Sequence, residues 1–182
     1  MMQNPAHDTV TDCDRLAANP PDPDRVAPGV EREDVELAKA IDACRAAVMA
    51  SPNVGRLSYQ LGRCLFYSGQ TGEALTSFRQ AASLGYRQAH FILGLIIQRR
   101  YENVPYDLAQ IEHHWRLGAE LDHANAQVSY VRSALRGDFE GLPNRVSNAD
   151  MCRFLERAEP KVDYLGSLLV DDLMATLVKA NT

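Results

Sequence analysis

The stretches SFRQAASLGYRQAHFILG, Ser77 to Gly94, and HWRLGAELDHANAQVSYV, His114 to Val131, decide how this chain folds. Set in register, Phe78 falls on Trp115, Ala82 on Ala119, Ala89 on Ala126 and Gly94 on Val131, every pair 37 residues apart. A third copy begins with Phe154 and Ala158, each 39 residues beyond Trp115 and Ala119. A large aromatic followed four residues later by Ala lies along one helix face, because positions i and i+4 stack one above the other. Ala and a Leu-Gly pair on the next helix let two antiparallel backbones approach while the aromatic fills the gap. Leu61, Gly62 and Leu65, followed by Ala74, Phe78 and Ala81, repeat that order in an earlier unit. Such a helix pair cannot bury its own apolar face and must stack on a neighbour.

Working outward from these copies, apolar residues at helical spacing start near Val35 with Leu37, Ala40, Ile41, Cys44, Ala47 and Val48, and stop at Ser51-Pro52. Further helices are predicted over Val54 to Ser68, Thr71 to Leu84, Arg87 to Arg100, Asp107 to Leu121, His123 to Arg136, Ser147 to Ala158 and Val162 to Lys179. Gly, Pro or Asn separates them, and Asp107 and Ser147 are expected N-caps. No Asn-Gly or Asp-Gly turn joins alternating runs, so the chain reads as all-α. Five of its nine prolines fall in the first 28 residues, which makes 1–34 a mostly irregular lead before a helical repeat domain over 35–182.

These residues carry a family resemblance. The order and spacing resemble the tetratricopeptide class and, within it, the Sel-one-like repeat, whose loop often reads Gly-Val-Pro-x-Asp. Asn103-Val104-Pro105-Tyr106-Asp107 matches that loop with Asn in place of Gly, and Leu142-Pro143 is a more degenerate copy. The resemblance spans roughly Val35 to Val178 and implies a right-handed α-solenoid of three to four stacked antiparallel helix pairs. The Leu-Gly pair becomes Tyr130-Val131 and then Leu169-Val170 in the later units, which implies wider packing there. The cysteine spacing of disulfide-rich Sel-one-like proteins is absent, so their penicillin-binding activity stays an alternative: a β-lactam-binding or hydrolytic enzyme.

Whole-chain properties narrow the function classes. A net charge of -5 argues against a nucleic-acid binder, which needs surplus Lys and Arg to displace counterions from phosphates. No stretch approaches the roughly 20 apolar residues of a membrane-spanning helix, so membrane insertion is not expected. The N-terminus has neither a basic start nor an apolar run; the chain as numbered reads as cytoplasmic, or as periplasmic or secreted if a signal was removed. Cys13, Cys44, Cys64 and Cys152 form no CxxC pair, which argues against sulfur-based metal sites. Cys13 with Cys44 is the disulfide candidate, since Cys13 sits in a lead with little else to hold it; four buried free thiols is the other reading.

In the tetratricopeptide class the first helix of each pair lines the concave face. Carried over residue by residue, that pattern points Arg56, Tyr59, Arg63 and Phe66 inward, then Gln88, Phe91, Leu95, Gln98 and Arg99, then Asn125, Val128, Arg132 and Arg136. Tyr164, Ser167 and Asp171 would follow on the last helix. The set is basic and aromatic in an acidic protein. Guanidinium groups hold carboxylates bidentately and aromatics supply anchors, so the groove suits an acidic extended peptide. The alternative is that the arginines pair with neighbouring carboxylates, and that Phe66, Phe91 and Leu95 are core.

Chemistry finds less support. His113 and His114 diverge by about 100° on a helix, and no HExxH or two-His-one-carboxylate spacing is present, so no metal or other cofactor is expected. No GxSxG elbow or SxxK motif occurs, and SGQTG lacks the Lys of a phosphate loop. The expected function is a non-catalytic scaffold or adaptor for an acidic protein or peptide, with self-association as a further alternative.

Overall fold

A computed structural model describes residues 9–101, 103–143 and 146–179. Among them all regular structure is helical: α1 Asp12–Ala17, α2 Leu37–Ala50, α3 Gly55–Tyr67, α4 Thr71–Ser83, α5 Arg87–Gln98, α6 Leu108–Glu120, α7 Ala124–Leu135, α8 Asn148–Ala158 and α9 Tyr164–Lys179. The chain forms two compact units, Met1–Ala89 and His90–Thr182. The division falls inside α5, and the lead belongs to the first unit.

Local chemistry sets the helix ends. The side chains of Asp107 and Ser147 accept from the backbone N–H groups of Gln110 and Asp150, the caps expected from sequence. His123 Nδ1 caps α7 in the same way, 3.2 Å from the Ala126 nitrogen. After α4 the chain turns through Gly85 at φ +76°, and the residue 37 positions on, after α6, is Asp122 at φ +65°. A non-glycine residue there costs backbone energy. Its carboxylate is tied down by Lys161 Nζ at 2.5 Å and Gln127 Nε2 at 3.2 Å, with Arg157 Nε 3.5 Å away.

In the first unit α2 packs on α3 and α3 on α4; in the second, α6 packs on α7, α7 on α8, and α9 on both α7 and α8. The recurring aromatics meet small residues of the preceding helix. A Cβ added at Gly62 would lie 2.7 Å from Cδ1 of Phe78, and one at Gly94 would lie 2.5 Å from Cδ1 of Trp115. Phe78 and Trp115 are both 2% exposed and Phe154 is buried beside Tyr130, ring centroids 6.2 Å apart. The all-α, sequentially paired packing of a helical repeat is therefore what the recurrence produces.

The lead departs from expectation in one respect. Residues 11–17 form a capped helix: Thr11 Oγ1 accepts from the Asp14 N–H while Asp14 accepts from the Thr11 N–H, a reciprocal capping box. α1 packs on α2 and α3, and Cys13 is disulfide-bonded to Cys44 of α2. The staple candidate is present, and the reading with four free thiols is set aside. Cys64 is a buried free thiol that burial pushes up to about 11, and Cys152 is free and half-buried.

Candidate functional site

Two basic helix faces, one in each unit, hold most of the expected groove residues, and they differ in what lies against them. On α3 the positions Arg56, Tyr59 and Arg63 recur every three or four residues and so share one side of the helix. That side is covered by the chain's own acidic lead.

Arg56 engages Asp14 bidentately, Nε to Oδ1 at 2.7 Å and Nη2 to Oδ2 at 3.1 Å, with Gln60 Nε2 donating to Oδ1 at 3.0 Å. Arg56 is 5% exposed and Asp14 0%, so the pair is desolvated. Burial opposes ionisation of Asp14, but hydrogen bonds from Arg56 and Thr11 outweigh it and hold the carboxyl below its ordinary range. Arg63 reads main chain: Nη1 donates to the Ala17 and Ala18 carbonyls at 3.1 Å each, and Nη2 to that of Val30 at 2.6 Å. Its guanidinium also lies 5.1 Å from the centre of the Tyr67 ring.

Further along the lead, Asn19 Nδ2 donates to the Tyr59 hydroxyl at 2.9 Å, and the Tyr86 hydroxyl donates to Asp22 at 2.6 Å. Arg87 clamps Asp24 with two 2.7 Å bonds. Burial raises the carboxyl of Asp22 above its usual range despite the Tyr86 bond, and burial with the Asp22 charge raises both Tyr59 and Tyr86. Both tyrosines stay neutral, Tyr86 donating to Asp22 and Tyr59 accepting from Asn19. The arrangement holds the lead, a short helix and the turns after it, by three aspartates and three main-chain carbonyls.

In the second unit, α7 and its C-cap present Arg132 and Arg136, both exposed. Together with Gln98, Trp115, Ser129 and Ser133 they line a cleft of about 220 Å³. Arg132 has no ion pair or hydrogen-bond partner for its guanidinium among the described residues. Arg136 has one loose pair, 3.6 Å to Asp138.

The expected groove residues thus divide. Arg56, Tyr59, Arg63 and Gln88 are buried in the first unit, Gln88 hydrogen-bonded to Tyr59. They are committed to internal contacts and are not presented to a partner. Phe66 is half-buried. Phe91 is half-buried and stacks on His123 with centroids 4.9 Å apart. Gln98, Arg132 and Arg136 converge on the cleft, whereas Arg99 and Asn125 are exposed and do not line it. Trp115, Ser129 and Ser133 also line the cleft and were not among the sequence candidates. Asp14, Asn19, Asp22, Asp24, Tyr86 and Arg87 were missed as well, although the aspartates of the lead were a visible signal.

A second, larger cavity of about 570 Å³ lies in the same unit, lined by Arg116, Glu120, Ser147, Asp150, Phe154 and Arg157 among others. Its charges are internally matched: Arg116 bonds Glu112 and Glu120 at 3.1 Å each, and Ser147 and Arg153 both bond Asp150. His90 and His114 place their Nδ1 atoms 3.2 Å apart, but no group of three metal-ligating side chains forms among the described residues. No described helix is long and apolar enough to cross a membrane. Comparison with protein-family models and with curated proteins gave no match.

Proposed function

We propose that this protein is a non-catalytic interaction module of the Sel-one-like kind, a scaffold or adaptor that holds an extended acidic segment of a protein partner against a basic helix face. The observation that carries this reading is the α3 face. There Arg56 takes a carboxylate and Arg63 takes three carbonyls from an aspartate-bearing stretch of the chain itself. A helix-pair scaffold whose arginines already bind an acidic segment in cis, here a short helix and the turns after it, is suited by the same chemistry to bind an acidic segment in trans. The repeat supplies the rigid frame, and a few Arg and aromatic anchors supply the affinity.

The Cys13–Cys44 disulfide favours an oxidising compartment over the cytoplasm, where thiols are kept reduced. This revises the cytoplasmic expectation drawn from the first residues of the chain.

An array of short synthetic peptides, graded in Asp and Glu content and paired with Asn and Gln counterparts, tests the reading when probed with the labelled, oxidised full chain. Retention is expected to rise with acid content and to vanish on amidation. Retention that ignores the exchange of carboxylate for amide overturns the proposal.

A further inference from the structure

We propose that the second-unit cleft between Gln98, Trp115 and Arg132 is an open counterpart of the α3 face and takes an extended acidic segment of a partner protein. In that pose a main-chain carbonyl of the partner meets Arg132 and a carboxylate meets Arg136. This rests on the interaction-module reading above and adds the location, the occupant and the mode of recognition.

Register supplies the first argument. With Gly62 set on Val131, Arg63 falls on Arg132 and Tyr67 on Arg136. Arg63 shows what an arginine at this position does when a segment is present: it is 4% exposed and spends its guanidinium N–H groups on three lead carbonyls. Arg132 occupies the equivalent position on α7 and is exposed, with its donors unused among the described residues. The position of Tyr67, which packs beside Arg63, holds a second cation in Arg136. The second face is thus the more positive of the two at these positions.

Charge and size choose the occupant. The described lining has two guanidiniums, a carboxamide, two hydroxyls and an indole, and no carboxylate. Among the described residues the only acid paired with it is Asp138, 3.6 Å from Arg136 and outside the lining set. A volume of about 220 Å³ is below the roughly 300–1,000 Å³ of pockets that enclose small-molecule ligands. It fits one or two inserted side chains of a segment whose backbone runs across the mouth. The lead of a second copy is a poor occupant, because its Asp14 and Asp24 are engaged by Arg56 and Arg87 of its own first unit and Cys13 is bonded to Cys44.

Trp115 is the only tryptophan of the chain and lines the cleft, so its emission reports occupancy. The oxidised full chain is titrated with an alternating Gly-Asp peptide and with its Gly-Asn counterpart, following Trp115 fluorescence and nitrogen-15 NMR shifts. The Gly-Asp peptide is expected to give a saturable response with shifts at Arg132, Arg136 and Ser129, and the Gly-Asn peptide none. Arg132→Glu with Arg136→Glu should weaken binding at least ~10-fold, the equivalent of about 1.4 kcal/mol, with an unchanged helical circular-dichroism signal. The Gln pair at the same positions gives the same test should charge reversal impair folding. Equal binding to wild type and variants, with shifts elsewhere, overturns the cleft while leaving the acidic-segment reading standing. No response to any acidic peptide, here or on the array, removes both. A Trp115 change on dilution without peptide, abolished in the variants, assigns the cleft to a second copy and overturns the partner.

Discussion

Asp14 sits 0% exposed between Arg56 and the Thr11 cap, and its ionised form is what Arg56 requires. Asp14→Asn leaves a buried guanidinium without its counter-ion and is expected to cost about 3–5 kcal/mol in denaturant unfolding, the usual consequence of breaking a buried pair. The pH dependence has a defined sign. The folded carboxyl titrates below its ordinary value of 3.8, so its stabilisation is complete above the unfolded value and is lost as pH falls through the folded one. The stability gap between wild type and Asp14→Asn should therefore be full at neutral pH and shrink below about pH 4. A gap that stays constant into acid would show that the Arg56 pair is not what the substitution removes.

Helix pairing depends on close approach at Gly62 and Gly94. Gly94→Ala gains about 1 kcal/mol of helix propensity, yet its methyl would overlap the indole of Trp115, 2.5 Å from Cδ1, and the indole Nε1 is held by the Phe91 carbonyl at 3.3 Å. Overpacking costs about 1–3 kcal/mol, so net destabilisation is expected in urea titrations. Adding Trp115→Phe should recover part of the loss, because the smaller ring vacates the overlapped space. A stabilised Gly94→Ala protein would mean that the two helices separate freely. This contact explains why the aromatic and the glycine recur together, and it was legible before any coordinates: Phe78, Trp115 and Phe154 announce it by interval alone.

At the scale of the molecule, the lead is held to the first unit by one covalent bond and a set of aspartate, carbonyl and hydroxyl contacts. The disulfide spans 31 residues of sequence, and a loop of that length corresponds to about 3–4 kcal/mol in the chain-entropy account. Cys13→Ser with Cys44→Ser is expected to lower stability by that amount and to raise protease cleavage within the lead. Arg56 and Arg63 should still be protected in hydrogen exchange, because the Asp14 and carbonyl contacts remain. Loss of that protection would show that the covalent bond, rather than the arginines, retains the lead.

The helices from Leu37 onward and their packing as sequential neighbours were legible in the residues alone, whereas α1 was not, because helix period and small-residue spacing are local properties carried by neighbouring side chains. The sequence also singled out Cys13 and Cys44, since few other features of a Pro-rich stretch can anchor it. Which basic face is already filled emerges only in the folded chain. The contacts that fill it join residues 33 to 64 positions apart, from Val30 with Arg63 to Tyr86 with Asp22. Proline and aspartate in the lead impose no period that says where it lies. A chain can state that it has arginines on one helix face, but whether they greet a partner or its own N-terminal residues depends on the desolvation and geometry of long-range pairs, and those exist only once the chain has closed on itself.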